Sequence, residues 1–144
     1  MFLGEFEHTV DDRGRLAIPA HYRTDLASGM FVTRGFERCL IIWPEDEWRS
    51  LADRLGQLSV MHSEARQLQR FLFSGATDVM PDRLGRIVVP AFLRRYAEID
   101  AAAVLVGVNT RVEVWSQPNW QRQRATNEEN SASLAEHLFQ MLQR

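Results

Sequence analysis

Two periods of apolar and polar positions alternate along the chain. Short apolar runs bounded by turn residues predict strands. They are Phe2 to His8, Leu16 to Ile18, Met30 to Thr33 and Cys39 to Trp43, then Ala76 to Met80, Ile87 to Val89, Val104 to Val108 and Val112 to Trp115. Pro19 and Pro90 end their strands, because proline cannot donate to a ladder. A single helical turn is expected after each, Ala20 to Leu26 and Ala91 to Ile99. Arg34-Gly35-Phe36-Glu37 and Asn109-Thr110-Arg111 read as hairpin connectors. A helical period then takes over. Pro44 opens a helix whose acidic first turn, Glu45-Asp46-Glu47, suits the helix dipole, with Trp48, Leu51, Ala52 and Leu55 on its apolar face. A second helix from about Ser63 to Phe73 carries Ala65, Leu68, Phe71 and Leu72 on one side. The second half repeats the layout from Pro118 and closes with a helix from about Ser131, bearing Leu134, Leu138, Met141 and Leu142.

The repetition extends to single residues. Asp11-Asp12-Arg13-Gly14-Arg15-Leu16-Ala17-Ile18-Pro19-Ala20 aligns with Asp82-Arg83-Leu84-Gly85-Arg86-Ile87-Val88-Val89-Pro90-Ala91 at an offset of 71. Arg23 then matches Arg94, Gly4 matches Gly75 and Phe2 matches Phe73. Further on the offset is 72, pairing Leu40 with Val112, Ile42 with Val114, Trp43 with Trp115 and Trp48 with Trp120. The expectation is a duplicated unit, residues 1–72 and 73–144. Either half alone would have a thin core and unpaired strand edges. The two are therefore expected to interlock about a pseudo-two-fold axis into one barrel, with helices at its periphery.

Composition narrows the class. Of 144 residues 45% are hydrophobic and 25% charged, which describes a globular protein and not a disordered one. Seventeen basic residues against 19 acidic leave a net charge of −2, which excludes binding nucleic acid by bulk charge but not by a local patch. Every basic residue is arginine. The single cysteine, Cys39, excludes an intramolecular disulfide and a cysteine zinc site, and its apolar neighbours suggest a buried thiol. The opening residues do not read as a signal peptide, and no apolar run approaches the length of a bilayer span. A cytoplasmic protein is expected.

No nucleophile elbow, P-loop, dinucleotide fingerprint or zinc-protease motif is present, and the four histidines stand at no metal-ligand spacing. No enzyme, cofactor or metal is expected. The tryptophans, at equivalent places in the two halves, read as packing residues. The duplicated Asp-x-x-Gly-Arg is the strongest feature. By itself it leaves two readings open. Asp11 with Arg15, and Asp82 with Arg86, could be ion pairs that lock turns in which Gly14 and Gly85 supply the backbone geometry. Equally, Arg13 and Arg15 could share a strand face, and residues 82–95 hold four arginines and one acid, Arg83, Arg86, Arg94 and Arg95 against Asp82. A basic patch repeated about a dyad suits DNA.

The opening Met1 to Leu16, the repeat Asp82 to Ile87 and the stretch Gly107 to Trp115 closely resemble the MraZ family, over essentially the whole chain. Arg13 and Arg83 stand where members often carry lysine or another polar residue. The resemblance implies an α+β fold of two AbrB-like, swapped-hairpin units forming a double-split β-barrel. It implies a bacterial, nucleoid-associated transcriptional regulator of its own promoter and of the division and cell-wall gene cluster. Such a protein binds short direct repeats in double-stranded DNA and associates with itself into a ring. It needs no membrane and no small-molecule substrate. Arg15 and Arg86 are then the main DNA contacts, and Arg13, Arg83, Arg94 and Arg95 auxiliary ones. Asp11, Gly14, Asp82 and Gly85 orient the turns. The rival expectation is a ring-forming protein adaptor in which the Asp–Arg pairs are structural. An antitoxin-like AbrB protein fits less well, since the C-terminal segment reads as an amphipathic helix and not as an extended tail.

Overall fold

The structure is a computed structural model that describes residues 1–143. In chain order the elements are β1 (Glu5–Thr9), β2 (Arg15–Ala17), α1 (Ala20–Arg23), β3 (Met30–Arg34), β4 (Leu40–Pro44), α2 (Glu45–Gly56), α3 (Ser63–Ser74), β5 (Thr77–Val79), β6 (Arg86–Val88), α4 (Ala91–Tyr96), β7 (Ala102–Val108), β8 (Arg111–Ser116) and α5 (Gln117–Leu142). The fold is α+β, and every strand pairing is antiparallel.

The pairings cross between the halves. Strand β1 leaves its own hairpin and pairs with β7, Phe6 opposite Leu105. Strand β5 does the reverse and pairs with β3, Phe31 opposite Asp78. The two hairpins, β3–β4 and β7–β8, join where β4 meets β8. One six-stranded sheet results, in the order β1-β7-β8-β4-β3-β5. Strands β2 and β6 pair with each other as a two-stranded ribbon, and an isolated bridge ties Leu16 of β2 to Val10, just past β1. The halves are thus interlocked as expected. A closed barrel is not formed by these ladders among the described residues: the ribbon joins the sheet by packing and by the isolated Val10–Leu16 bridge. Leu16 and Ile87 of the ribbon, both 1% exposed, sit in one core with Val32, Leu40, Leu105 and Val114 of the sheet.

Local physics explains the details. The expected first strand is shortened to Glu5–Thr9, with Phe2 held by an isolated bridge to Asn109 and buried against Tyr22. Gly107 is required there, since a Cβ would strike the backbone of Phe2 and Leu3. The Tyr22 hydroxyl donates to the Leu3 carbonyl at 2.8 Å. Thr33 is fully buried, and its hydroxyl accepts from the Trp43 indole at 3.0 Å. Trp48 stacks on Phe31, and Trp115 lies against Trp120, so these aromatics pack within the fold.

The largest departure lies at the end of the chain. A separate helix from about Ser131 is expected, but α5 is one continuous helix of 26 residues. It is capped by Ser116, whose hydroxyl accepts from the Asn119 amide. In the first half, α2 stops at Gly56 and the chain turns back into α3. At the offset of 72 the counterpart of Gly56 is Glu128, a good helix former, and neither glycine nor proline occurs from Asn119 to Leu142. Nothing interrupts the hydrogen-bond ladder, so the helix runs on and its distal half leaves the body of the protein.

Candidate nucleic-acid interface

The duplicated turns are built alike to the atom. Asp11 Oδ1 accepts from the amides of Arg13 and Arg15, at 3.0 and 2.8 Å. Asp82 Oδ1 accepts from the amides of Leu84 and Arg86, both at 2.9 Å. The Gly14 amide closes its turn on the Asp11 carbonyl, and the Gly85 amide on that of Asp82, each at 3.0 Å. Both glycines take positive φ, 81° and 76°. The second carboxylate oxygen accepts from the following arginine: Arg15 Nε at 2.5 Å and Arg86 Nε at 2.9 Å. The Arg15 and Arg86 amides hold their aspartates' carboxyls below the ordinary carboxylate range, outweighing partial desolvation and aided by the guanidinium groups. Both carboxylates are therefore ionised at neutral pH, and each pair is a fixed ion pair.

The ribbon brings the pairs together. Leu16 and Ile87 face the core, so Arg15, Ala17, Arg86 and Val88 point outward. Arg15 stands opposite Val88 and Ala17 opposite Arg86, which sets the two arginines diagonally on one face, about 7–8 Å apart. Each guanidinium uses Nε on its aspartate, and about a third of each side chain is exposed. The terminal amino groups remain for an acceptor from outside.

A second layer of arginines locks each turn to the opposite repeat. The Ile18 amide donates to the Gly85 carbonyl, and the Val89 amide to that of Gly14. Arg94 Nε donates to the Val89 carbonyl at 3.0 Å, and its guanidinium lies over Gly14. Arg23 Nε donates to the Ile18 carbonyl at 2.9 Å and lies over Gly85. Arg94 is thus a clamp as well as a charge. Arg23 is its structural twin, and sequence reasoning left it out of the site although it matches Arg94 at the repeat offset. Arg13 does not share a strand face with Arg15, because β2 begins at Arg15 and Arg13 lies in the turn. Arg13 and Arg83 are exposed at the two turns, and Arg95 is exposed on α4. Around the ribbon seven arginines stand against Asp11, Asp12 and Asp82, on a chain whose net charge is −2.

Other chemistry is sparse. Among the described residues no group of histidine, cysteine or acidic side chains could hold a metal ion, and no helix is long and apolar enough to cross a membrane. Cys39 is 1% exposed, and burial pushes its thiol up to about 12.

A family model described as "MraZ protein, putative antitoxin-like" matches the chain twice, over residues 1–71 and 72–142. Among similar proteins, the "Transcriptional regulator MraZ" of Roseiflexus castenholzii is 47% identical over 141 residues, covering 98% of this chain and 99% of that one. The protein of the same name from Herpetosiphon aurantiacus is 46% identical over 96% of both chains. That from Desulforamulus reducens is 43% identical over 99% of this chain and all of its own. With two matches that together span the turns, the ribbon and the crossed hairpins, the chain belongs to the MraZ family.

Proposed function

We propose that this chain is a DNA-binding transcriptional regulator that acts through the β2–β6 ribbon. The observation that carries the reading is the pair of Asp–Arg turns, set diagonally on one exposed face, with Nε of Arg15 and Arg86 on their aspartates and about a third of each arginine side chain exposed. A two-stranded ribbon is one of the two elements that the major groove, about 12 Å wide, admits. Arg15 and Arg86 reach guanine edges or phosphates there. Val88, 54% exposed on the same face, offers an apolar contact of the kind a thymine methyl accepts. Asp11 and Asp82 keep the guanidinium planes aimed and do not meet the anionic DNA. Arg13, Arg83 and Arg95 add phosphate contacts from the turns and from α4, and Arg94 and Arg23 add charge while clamping the ribbon.

The named relatives support the regulatory role. We extend it to the chain's own promoter, to short direct repeats and to the division and cell-wall genes, as the family resemblance implies. The units 1–72 and 73–144 are taken as two copies of one AbrB-like unit, and sheet and ribbon as the two layers of its split barrel. Self-association into a ring lets several weak sites bind neighbouring repeats, with affinity gained through effective concentration. The site of action is the nucleoid.

The test is an anisotropy titration against the DNA upstream of the gene and against scrambled DNA, at two salt concentrations. Wild-type protein is expected to prefer its own upstream DNA and to lose about 10³–10⁵ in affinity between 50 and 200 mM salt, as 6–10 phosphate contacts require. Arg15→Ala with Arg86→Ala, folded by circular dichroism, is expected to lose that preference by at least about a hundredfold. Wild-type affinity in the folded double variant refutes the assignment, and absence of any preference in the parent favours the adaptor.

A further inference from the structure

The ribbon that carries the duplicated turns is two-fold in its backbone but not in its side chains. Four residues form its outward face, and the register sorts them into two ends. At one end Arg15 stands opposite Val88, next to the first turn. At the other Arg86 stands opposite Ala17, next to the second. Opposed side chains on one face lie about 4.5–5.5 Å apart at Cβ, so each arginine has its own neighbour. That of Arg15 is branched and 54% exposed. That of Arg86 is a single methyl group, half-buried. The turn tips differ as well: Asp12-Arg13 at the Arg15 end holds the places that Arg83-Leu84 fills at the other.

Charge does not distinguish the two ends. Arg94 of α4 lies over Gly14 of the first turn, and Arg23 of α1 over Gly85 of the second. Turn and facing helix together give the Arg15 end Arg13, Arg94 and Arg95 against Asp12, three positive charges less one. The same parts give the Arg86 end Arg23 and Arg83, two positive charges. Beyond its fixed Asp–Arg pair each end therefore carries the same net charge. Sequence-independent attraction to phosphates holds the ribbon equally well either way round. What separates the two opposite placements is shape and apolar contact at the base edges.

The dimensions translate into base pairs. Residues two apart on a strand are separated by about 6.6–6.8 Å, and successive base pairs by about 3.4 Å. The two ends of the ribbon thus face positions about two base pairs apart in a major groove. At each position an arginine selects guanine. The one apolar group on the major-groove edge of the bases is the thymine methyl. Val88 projects far enough beside Arg15 to meet it. Ala17, shorter by two methyl groups and half-buried, does not project so far beside Arg86.

We propose that Val88 and Ala17 give the ribbon a polarity, so that the chain docks on a non-palindromic site in one orientation. The Arg15–Val88 end takes a guanine flanked by a thymine, and the Arg86–Ala17 end takes a guanine without that requirement. A ribbon two-fold in its side chains as well would accept one site equally in both orientations. This ribbon has the same arginine at each end but a different neighbour beside it, and the neighbour breaks the tie. Copies on direct repeats then all face one way along the duplex. The inference rests on the DNA-binding reading and names the sequence feature that the same site distinguishes.

Anisotropy and directed cleavage on the DNA upstream of the gene test it. Binding of the unmodified duplex by the parent is measured first, and its absence overturns the DNA-binding reading and this inference with it. Each thymine of the bound site is then replaced by deoxyuridine, which removes only the methyl group. The parent is expected to lose about fourfold in affinity at one thymine beside a guanine, as one buried methyl requires. Val88→Ala is expected to be indifferent to the same replacement. Orientation is read with Asp12→Cys carrying an iron chelate that cleaves nearby DNA; Cys39, 1% exposed, stays unlabelled. Cleavage is expected on the thymine side of the site. In the exchanged ribbon, Ala17→Val with Val88→Ala and unchanged circular dichroism, it is expected to move to the opposite side. A parent indifferent to every thymine methyl, or Val88→Ala with the parent's sensitivity, overturns the polarity. So does cleavage that falls equally on both sides in the parent or stays in place after the exchange. Each of these results leaves the DNA-binding reading intact, because the parent has bound.

Discussion

Gly14 and Gly85 occupy equivalent positions in the repeat, yet substitution to alanine is expected to cost unequal amounts. Both have φ near +80°, a region that costs an L-residue about 1–2 kcal/mol. The nearest atoms then differ. A Cβ at residue 85 would lie 2.5 Å from Arg23 Cζ and 2.7 Å from its Nε, the far end of an exposed, flexible side chain. Arg23 can swing away, at the loss of one hydrogen bond to the Ile18 carbonyl, about 1 kcal/mol. A Cβ at residue 14 would lie 2.7 Å from the Val89 carbonyl oxygen, as well as against Arg94. That oxygen belongs to the backbone that donates to the Gly14 carbonyl at 2.9 Å, so the ribbon itself must open. Loss of the Arg94 bond and weakening of that rung add about 2–3 kcal/mol. The expected totals are about 2–3 kcal/mol for Gly85→Ala and about 3–5 kcal/mol for Gly14→Ala. Urea unfolding followed by tryptophan fluorescence, at one fixed protein concentration, measures both. Equal losses, or a larger loss at Gly85, would refute the account of the two turns.

Further outcomes follow from the same geometry. Asp11 and Asp82 have folded-state values below the unfolded one, so their contribution to stability is full above about pH 4 and is lost as pH falls through the lowered values. Asp11→Asn with Asp82→Asn should therefore flatten the fall in unfolding free energy on acidification, and an unchanged slope would count against the carboxylates. Cys39 should react with a thiol reagent at pH 8 only after denaturation, since burial disfavours its thiolate; rapid labelling of native protein would contradict its placement. The Arg15 and Arg86 pair should govern specific DNA binding, so Arg15→Ala with Arg86→Ala should remove it without a change in circular dichroism.

Much of the protein was legible in its sequence because the informative signals are local. Asp two and four residues before the amides it caps, with glycine between, encodes the turn by itself, and both copies carry it. Alternating apolar runs placed the strands, and the helical faces of α2 and α3 bury the expected side. Repetition at offsets of 71 and then 72 argued for a duplicated unit, and the offset of 71 alone paired Arg23 with Arg94. Three things needed the tertiary structure. Which strand joins which sheet depends on contacts between residues far apart, so the open six-stranded sheet with a separate ribbon was not readable from periodicity. Whether an arginine is a free charge or a clamp depends on what crosses it, and Arg94 and Arg23 each cross a glycine of the opposite repeat. The course of α5 turned on the absence of a breaker where the first repeat has Gly56, and only the folded chain shows the consequence, a helix that outruns its own sheet. Turn chemistry acts over four residues and is written in order along the chain, whereas ladders, clamps and docking faces arise only when distant segments meet.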